Sequence, residues 1–190
     1  MNHISQIVSW DEYFCNQLML IAMKSKDPST QAGCIIVGHN HEILSTGFNG
    51  MPRGILETYP ELPLELQLSD YDNKIFEDIK ETVEARYERP EKYKWFEHAE
   101  RNAIYNAARI GTPLDGSILY VNGWPCTDCA RAIIQVGITE VIIYDTFSDD
   151  FKERWKDDIN RTKTMFEEAD IDVSVFNEGE LNIFVRKEPA

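Results

Sequence analysis

Behind Ser9-Trp10-Asp11-Glu12, apolar residues recur at helical spacing (Tyr13, Phe14, Leu18, Ile21 and Ala22), and the Ser-x-x-Glu capping pattern in front marks a helix start. This predicts a helix ending near Lys26-Asp27-Pro28. Two short apolar runs, 33–37 and 43–48, predict strands joined by a hairpin at Gly38-His39-Asn40-His41. After an irregular middle stretch, the pattern becomes regular again from Trp95. It predicts a helix from about His98 to Arg109, stopped by Gly111 and Pro113, and a strand at 117–121. A helix from about Cys126 to Val136, closed by Gly137, and a strand at 140–144 follow. A helix around 155–169, a strand at 171–176 and a last edge strand at 181–185 complete the order. Such alternation predicts an α/β domain with helices covering a mixed sheet.

The middle stretch opens with Gly50-Met51-Pro52-Arg53-Gly54, a loop by its Gly and Pro content. It passes Pro60 and Pro63 into a charged segment, about 72–87, that reads as helical. About forty residues rarely stabilise themselves alone. The reading is therefore one domain over 1–190, with an acidic insertion at about 55–94 packed on the core.

A chain of 190 residues with 43% hydrophobic content can bury a sizeable core. No run approaches the roughly 18 consecutive apolar residues of a membrane span. Met1 to Ser9 has no basic cluster ahead of an apolar run and does not read as a signal peptide, so the expectation is a cytoplasmic protein with no membrane partner. The net charge of −14 works against polyanions, because proteins that grip nucleic acid neutralise phosphates with Lys and Arg. A single nucleotide needs only a local pocket with one or two bases.

Cys15 and Cys34 sit inside apolar segments and read as buried small hydrophobes. Cys126 and Cys129, three apart at a helix start, can present both sulfurs on one face. The positive end of the helix is expected to lower both thiol pKa values, and thiolates are the zinc-binding species. His98 adds an imidazole. Three protein ligands leave the fourth zinc position to water, whereas structural sites are closed by four. Glu100 is then the proton carrier, but His98 and Glu100 are two apart and a regular helix points them in different directions. Both reach one site only if His98 stands at the very first turn. A lone Cys-x-x-Cys can be a redox pair, but a thioredoxin-like motif follows the first strand, whereas this one opens a late helix. A structural zinc needs a fourth ligand, and His3, His39 and His41 have no useful spacing to the pair.

His-x-Glu followed by Pro-Cys-x-x-Cys, each opening a helix, is the signature of the zinc deaminases. Around it the chain resembles the deoxycytidylate deaminases. The segments 98–104 and 107–109 look like that family's first zinc helix, and 125–138 like its second. Ser25-Lys26-Asp27-Pro28 with Gln31-Ala32-Gly33, and Gly47-Phe48-Asn49-Gly50-Met51-Pro52-Arg53-Gly54, are similar to two further family segments. The resemblance covers about three-quarters of the chain and implies a three-layer α/β/α cytidine deaminase-like fold with a mixed central sheet. It implies one catalytic Zn2+ per subunit on His98, Cys126 and Cys129, with Glu100 shuttling protons. Asn49 would bind the sugar hydroxyl, and Lys26 with Ser25 the 5′-phosphate. Phe48, Gly50, Arg53 and Arg109 would serve a regulatory site or subunit contact, with dCTP activating, dTTP inhibiting and Mg2+ accompanying the triphosphate. The implied assembly is a homo-oligomer, a hexamer in most of the family, and the implied reaction is hydrolysis of dCMP to dUMP and ammonia, feeding thymidylate synthesis.

Two features depart from the family pattern. Trp124 precedes Pro125 where many relatives have a smaller side chain or Phe, and the 57–93 insertion supplies no Cys or His for a second, structural zinc. The rival readings are a deaminase of another free or modified nucleotide and a catalytically silent nucleotide-sensing relative. Retention of Glu100 speaks against the silent relative.

Overall fold

The computed structural model describes residues 7–57, 70–177 and 179–181. The chain divides into two compact units, Met1–Asn49 with His98–Ala190, and Gly50–Glu97.

In the larger unit α1 spans Trp10–Ala22, and its Ser9 side chain and Glu12 make the reciprocal capping box. The helix stops at Ala22, four residues before the expected end at Lys26. Met23 caps it, and 24–32 runs as irregular chain. The strands β1 (Gly33–Val37) and β2 (Ile43–Phe48) form the expected hairpin, with a register shift between Ile36 and Val37. The sheet continues through β3 (Ile118–Val121), β4 (Glu140–Asp145) and β5 (Asp172–Asn177) in the order β2-β1-β3-β4-β5. β1 is antiparallel to β2 and β3, while β3, β4 and β5 are mutually parallel. The sheet is therefore mixed, as expected.

Period-two alternation divides the buried residues into two cores, one on each sheet face. Phe14, Cys15 and Leu18 of α1 pack with Ile35, Val37, Tyr120, Ile142 and Tyr144. Cys34, Ile36, Leu119, Val121, Val141 and Ile143 face the other way, onto the helices that follow in the chain. Both Cys15 and Cys34 are fully buried, and burial, helped by Asp11, pushes the Cys15 thiol up to about 12.

On that second face lie three helices, numbered α4 (Ala99–Ile110), α5 (Thr127–Gln135) and α7 (Lys156–Glu168) in chain order. A short helix, α6 (Asp149–Arg154), precedes α7 and has no counterpart in the sequence-based expectation. The edge strand expected at 181–185 lies outside the described residues beyond Leu181.

The placement of α4 decides the site. Ser45 Oγ donates to Ala103 O at 2.6 Å, while Asn102 and Asn106 donate to Phe48 O and Thr46 O at 2.8 and 2.7 Å. Between them Gly47 lets the two backbones touch. A Cβ there would overlap the backbone of Ala99 and Ala103 and lie 2.9 Å from Asn102 C. The helix ends at Gly111 in the left-handed conformation, which closes its last turn.

Among the described residues of the smaller unit, α2 (Asp70–Ala85) and α3 (Lys92–Trp95) are the helices. Gly50 and Glu97 exchange two backbone hydrogen bonds, 3.0 and 2.8 Å, and so join the unit's two ends. Arg86 stacks over Trp95 at 4.2 Å and donates to Leu56 O, and Tyr87 donates to Glu57 O at 2.6 Å. Among the described residues no helix is long and apolar enough to cross a membrane.

Gly47→Ala should destabilise the protein by about 1–3 kcal/mol, the cost of overpacking against groups that cannot yield. Thermal unfolding checks this, and an unchanged midpoint would show that α4 can move off β2.

Candidate active site

His98 is the residue before α4, with φ −77° and ψ 157°, and Cys126 stands in the same place before α5, with φ −73° and ψ 168°. Both are N-cap residues in extended conformation whose side chains do not cap their own helix. That geometry resolves the difficulty of His-x-Glu spacing. His98 turns away from the helix axis while Glu100, one residue into the first turn, points inward and is 5% exposed. The structure thus meets the condition that the spacing imposed.

The His98 Nδ1 lies 3.3 Å from Cys126 Sγ and 3.5 Å from Cys129 Sγ. The three donor atoms all lie within 4.8 Å of one another, and they form the only metal-competent His/Cys/Asp/Glu group among the described residues. Tetrahedral zinc with ordinary Zn–S and Zn–N lengths places N and S donors roughly 3.6 Å apart, so the trio fits zinc without rearrangement. Two sulfurs and one imidazole make the open donor set of a catalytic site rather than a closed structural one.

The electrostatics of the protein's own groups are asymmetric. A hydrogen bond from Cys129 holds the Cys126 thiol down at about 4, outweighing burial, and His98 adds to the effect. The Cys129 thiol, the donor in that bond, is raised well above its ordinary value, with burial and the Glu100 carboxylate adding to the rise. Of the two thiols that the helix terminus is expected to lower, only Cys126 is lowered, chiefly by the hydrogen bond from Cys129, and Cys129 is raised. One helix end cannot outweigh a neighbouring thiolate and carboxylate at a fully buried sulfur. Burial opposes charge on His98, but the Cys126 sulfur and the Glu100 carboxylate more than offset it and leave the imidazole raised. Burial pushes the Glu100 carboxyl up, and His98 opposes this only in part.

The second ligand loop is anchored from behind. Thr162 Oγ1 of α7 donates to Pro125 O at 3.0 Å, and Thr127 bonds to Asp158. Arg101 of α4 reaches Asp128 of α5 at 3.6 Å. Trp155, between α6 and α7, sets its ring edge-on to the His98 imidazole with centroids 6.4 Å apart, and Phe151 and Phe147 continue the aromatic row. Trp124 is half-buried beneath the Lys163 ammonium, 4.6 Å from the ring centroid.

The remaining expected residues fall in different places. Ser25 and Asn49 are buried in one hydrogen-bonded network, with Lys26 exposed beside Ser25. Phe48 is exposed at the end of β2, and Gly50 and Arg53 belong to the smaller unit. Arg109 is exposed on the last turn of α4, about 13 Å along the helix from Glu100. Asp27, Asn122 and the Phe147–Trp155 row went unread in the sequence. Only Ser148 followed by two aspartates, an N-cap with an acidic first turn, could have signalled α6.

The mixed sheet thus brings one imidazole, two cysteine sulfurs and a buried glutamate together at the starts of two helices. Residues 8–145 match the family described as "Cytidine and deoxycytidylate deaminase zinc-binding region". The chain is 35% identical over 168 residues to an uncharacterized deaminase encoded in the luxG 3′ region of Aliivibrio fischeri, covering 88% of this chain and 94% of that one. It is 33% identical over 178 residues to the deoxycytidylate deaminase of enterobacteria phage T2, covering 86% and 89%. It is 37% identical over 135 residues to human deoxycytidylate deaminase, covering 71% of this chain and 64% of the human one. The dCMP deaminase of cyanophage S-TIM5, solved with dCMP and dUMP, shares the fold at a TM-score of 0.58 and 23% identity, over 87% of this chain and 95% of that one. This chain belongs to the cytidine and deoxycytidylate deaminase family.

The purified protein should carry one zinc per chain, and Cys126→Ser and Cys129→Ser should each lose most of it, as read by atomic absorption. Zinc affinity should fall as pH is lowered, because protons compete for the thiolates and the imidazole. Full zinc content in both variants would contradict the trio as ligands.

Proposed function

We propose that the protein hydrolyses dCMP to dUMP and ammonia, with His98, Cys126 and Cys129 holding a catalytic zinc. The observation that carries this reading is the buried Glu100 carboxyl beside a three-donor set. When bound in such a set, zinc supplies a water acidified toward neutral pH. Glu100 would take one proton from that water and deliver it to the ring nitrogen of cytosine as the water oxygen bonds to carbon 4. It would then take the second proton of the same oxygen and deliver it to the amine as the carbon–nitrogen bond breaks, leaving a carbonyl and ammonia. Burial pushes the Glu100 carboxyl up, which favours the protonated form that a proton donor needs.

The choice of dCMP rests on the human and phage T2 relatives named deoxycytidylate deaminase and on the Ser25-Lys26 and Gly47–Gly54 segments. Lys26, exposed beside buried Ser25, gives the 5′-phosphate a cation and a neighbouring hydroxyl-bearing turn. Asn49 is the proposed partner of the sugar hydroxyl, through the second lone pair of Oδ1, since its amide N–H groups are bonded to Asp27 and Thr30 and its oxygen already accepts from Ala32 N–H. The reading extends to dCTP activation and dTTP inhibition through Phe48, Gly50, Arg53 and Arg109, with Mg2+ on the triphosphate, in a homo-oligomer.

Ammonia release from a panel of cytosine, adenine and guanine nucleosides and nucleotides tests the substrate, with dCTP and dTTP added to separate dCMP reactions to test control. Preferential turnover of dCMP is the expected result. Turnover of another base alone would overturn the substrate, and silence on the whole panel would overturn the reaction. Glu100→Gln should keep the fold and one zinc while kcat falls at least about 100-fold, the lower end of what general acid–base catalysis contributes. Full activity in that variant would remove Glu100 from the mechanism.

A further inference from the structure

Between α1 and β1 the chain over 25–32 has no regular partner strand, yet from Thr30 into Gly33 its backbone groups are taken up one after another by two buried asparagine amides. Asn49, at the end of β2, donates to Thr30 O at 2.8 Å and accepts from Ala32 N–H at 2.8 Å. Asn122, at the end of β3, donates to Gln31 O at 3.0 Å and accepts from Gly33 N–H at 2.6 Å. Four successive residues are thus gripped alternately from two sides. Asn122 is 2% exposed and Asn49 7%.

Behind this clamp stands Asp27, 4% exposed. One carboxylate oxygen accepts from Ser29 N–H, Ser29 Oγ and Thr30 N–H, folding the turn, and the other accepts from Asn49 Nδ2 at 3.2 Å. Ser25 Oγ donates to Asn49 O at 2.8 Å and accepts from Asp27 N–H, and Gln31 Nε2 donates to Ser25 O. The segment carrying Ser25 and Lys26 is tied through Asn49 to β2, and through Asn122 to the stretch that leads four residues later to Cys126.

We propose that Asn122 and Asp27 are positioning residues that, acting with Asn49, hold the Ser25-Lys26 turn at a fixed distance from the zinc ligands and so set the enzyme's selectivity for nucleotide over nucleoside. The inference rests on the proposed deamination of dCMP. A nucleotide's phosphate and reacting base are a fixed span apart, so a turn that binds phosphate helps the reaction only if it cannot drift relative to the metal loop. A nucleoside lacks the phosphate and feels that drift only at its sugar, through Asn49.

The test uses Asn122→Asp, which keeps the acceptor for Gly33 N–H but turns an oxygen toward Gln31 O, and Asp27→Asn, which turns an N–H2 toward that of Asn49. The ratio of kcat/KM for dCMP to that for deoxycytidine is measured in the zinc-loaded full-length protein, with zinc content alongside. Should deoxycytidine turnover be too slow to read, the affinities of dUMP and deoxyuridine give the same ratio. The ratio should fall up to about 100-fold in either variant, the effect of roughly 1 Å of misplacement, with zinc held and deoxycytidine turnover falling far less than that of dCMP. An unchanged ratio, an equal loss on both substrates, or loss of fold or zinc in both variants would overturn the proposal. A wild-type protein that fails to turn over dCMP would instead overturn the function on which it rests.

Discussion

Two helices that begin at the same point are the constraint from which the rest of the structure follows. The starts of α4 and α5 converge, and the residues standing just outside each helix, His98 and Cys126, aim their side chains at one another instead of capping their own ends. The unsatisfied N–H groups of both first turns then bias the shared space toward negative charge, which suits thiolates and a carboxylate. Bringing two positive helix ends together is unfavourable without anions between them. Cys126 and Glu100 stand where those anions are needed, and a divalent cation held by the trio would balance them.

The sheet makes the convergence geometrically cheap. Because β3 and β4 run parallel with α5 between them, α5 begins directly beyond the end of β3. The start of α4 is brought to the same place by its seat on β2, where Gly47 removes the side chain that would hold the helix away. From behind, Thr162 fixes the turn at Pro125. Each anchor is local and polar, and each acts on backbone just outside a helix, where a displacement would translate directly into a misplaced ligand. The surface pairs nearby, such as Arg131 with Asp128 at 2.5 Å, contribute little by comparison.

The elements with dense apolar pattern were legible from residues alone. Gly33–Val37 and Ile43–Phe48 coincide with strands, and the metal trio with its glutamate was readable because few residue types bind zinc and their spacing is constrained. What escaped reading was polar. Asp149–Arg154 has no buried residue to give it a period, and only its capping serine marks it. Asn122 sits 89 residues from Gly33 in sequence, and nothing local says that its amide serves that N–H. The opposite shifts of Cys126 and Cys129 were equally invisible, since they depend first on which sulfur donates in the hydrogen bond between them and then on burial and Glu100.

One consequence concerns the order in which the protein assembles. The metal trio, though spread over two helices, lies on the single stretch from His98 to Cys129. An ion that grips this stretch closes one short loop, and the entropy lost in closure grows only slowly with loop length. The donors therefore all emerge from the ribosome before β4 and β5 exist to complete the sheet. A metal held by the three would join the starts of α4 and α5, on either side of β3, while the C-terminal third of the chain is still being made.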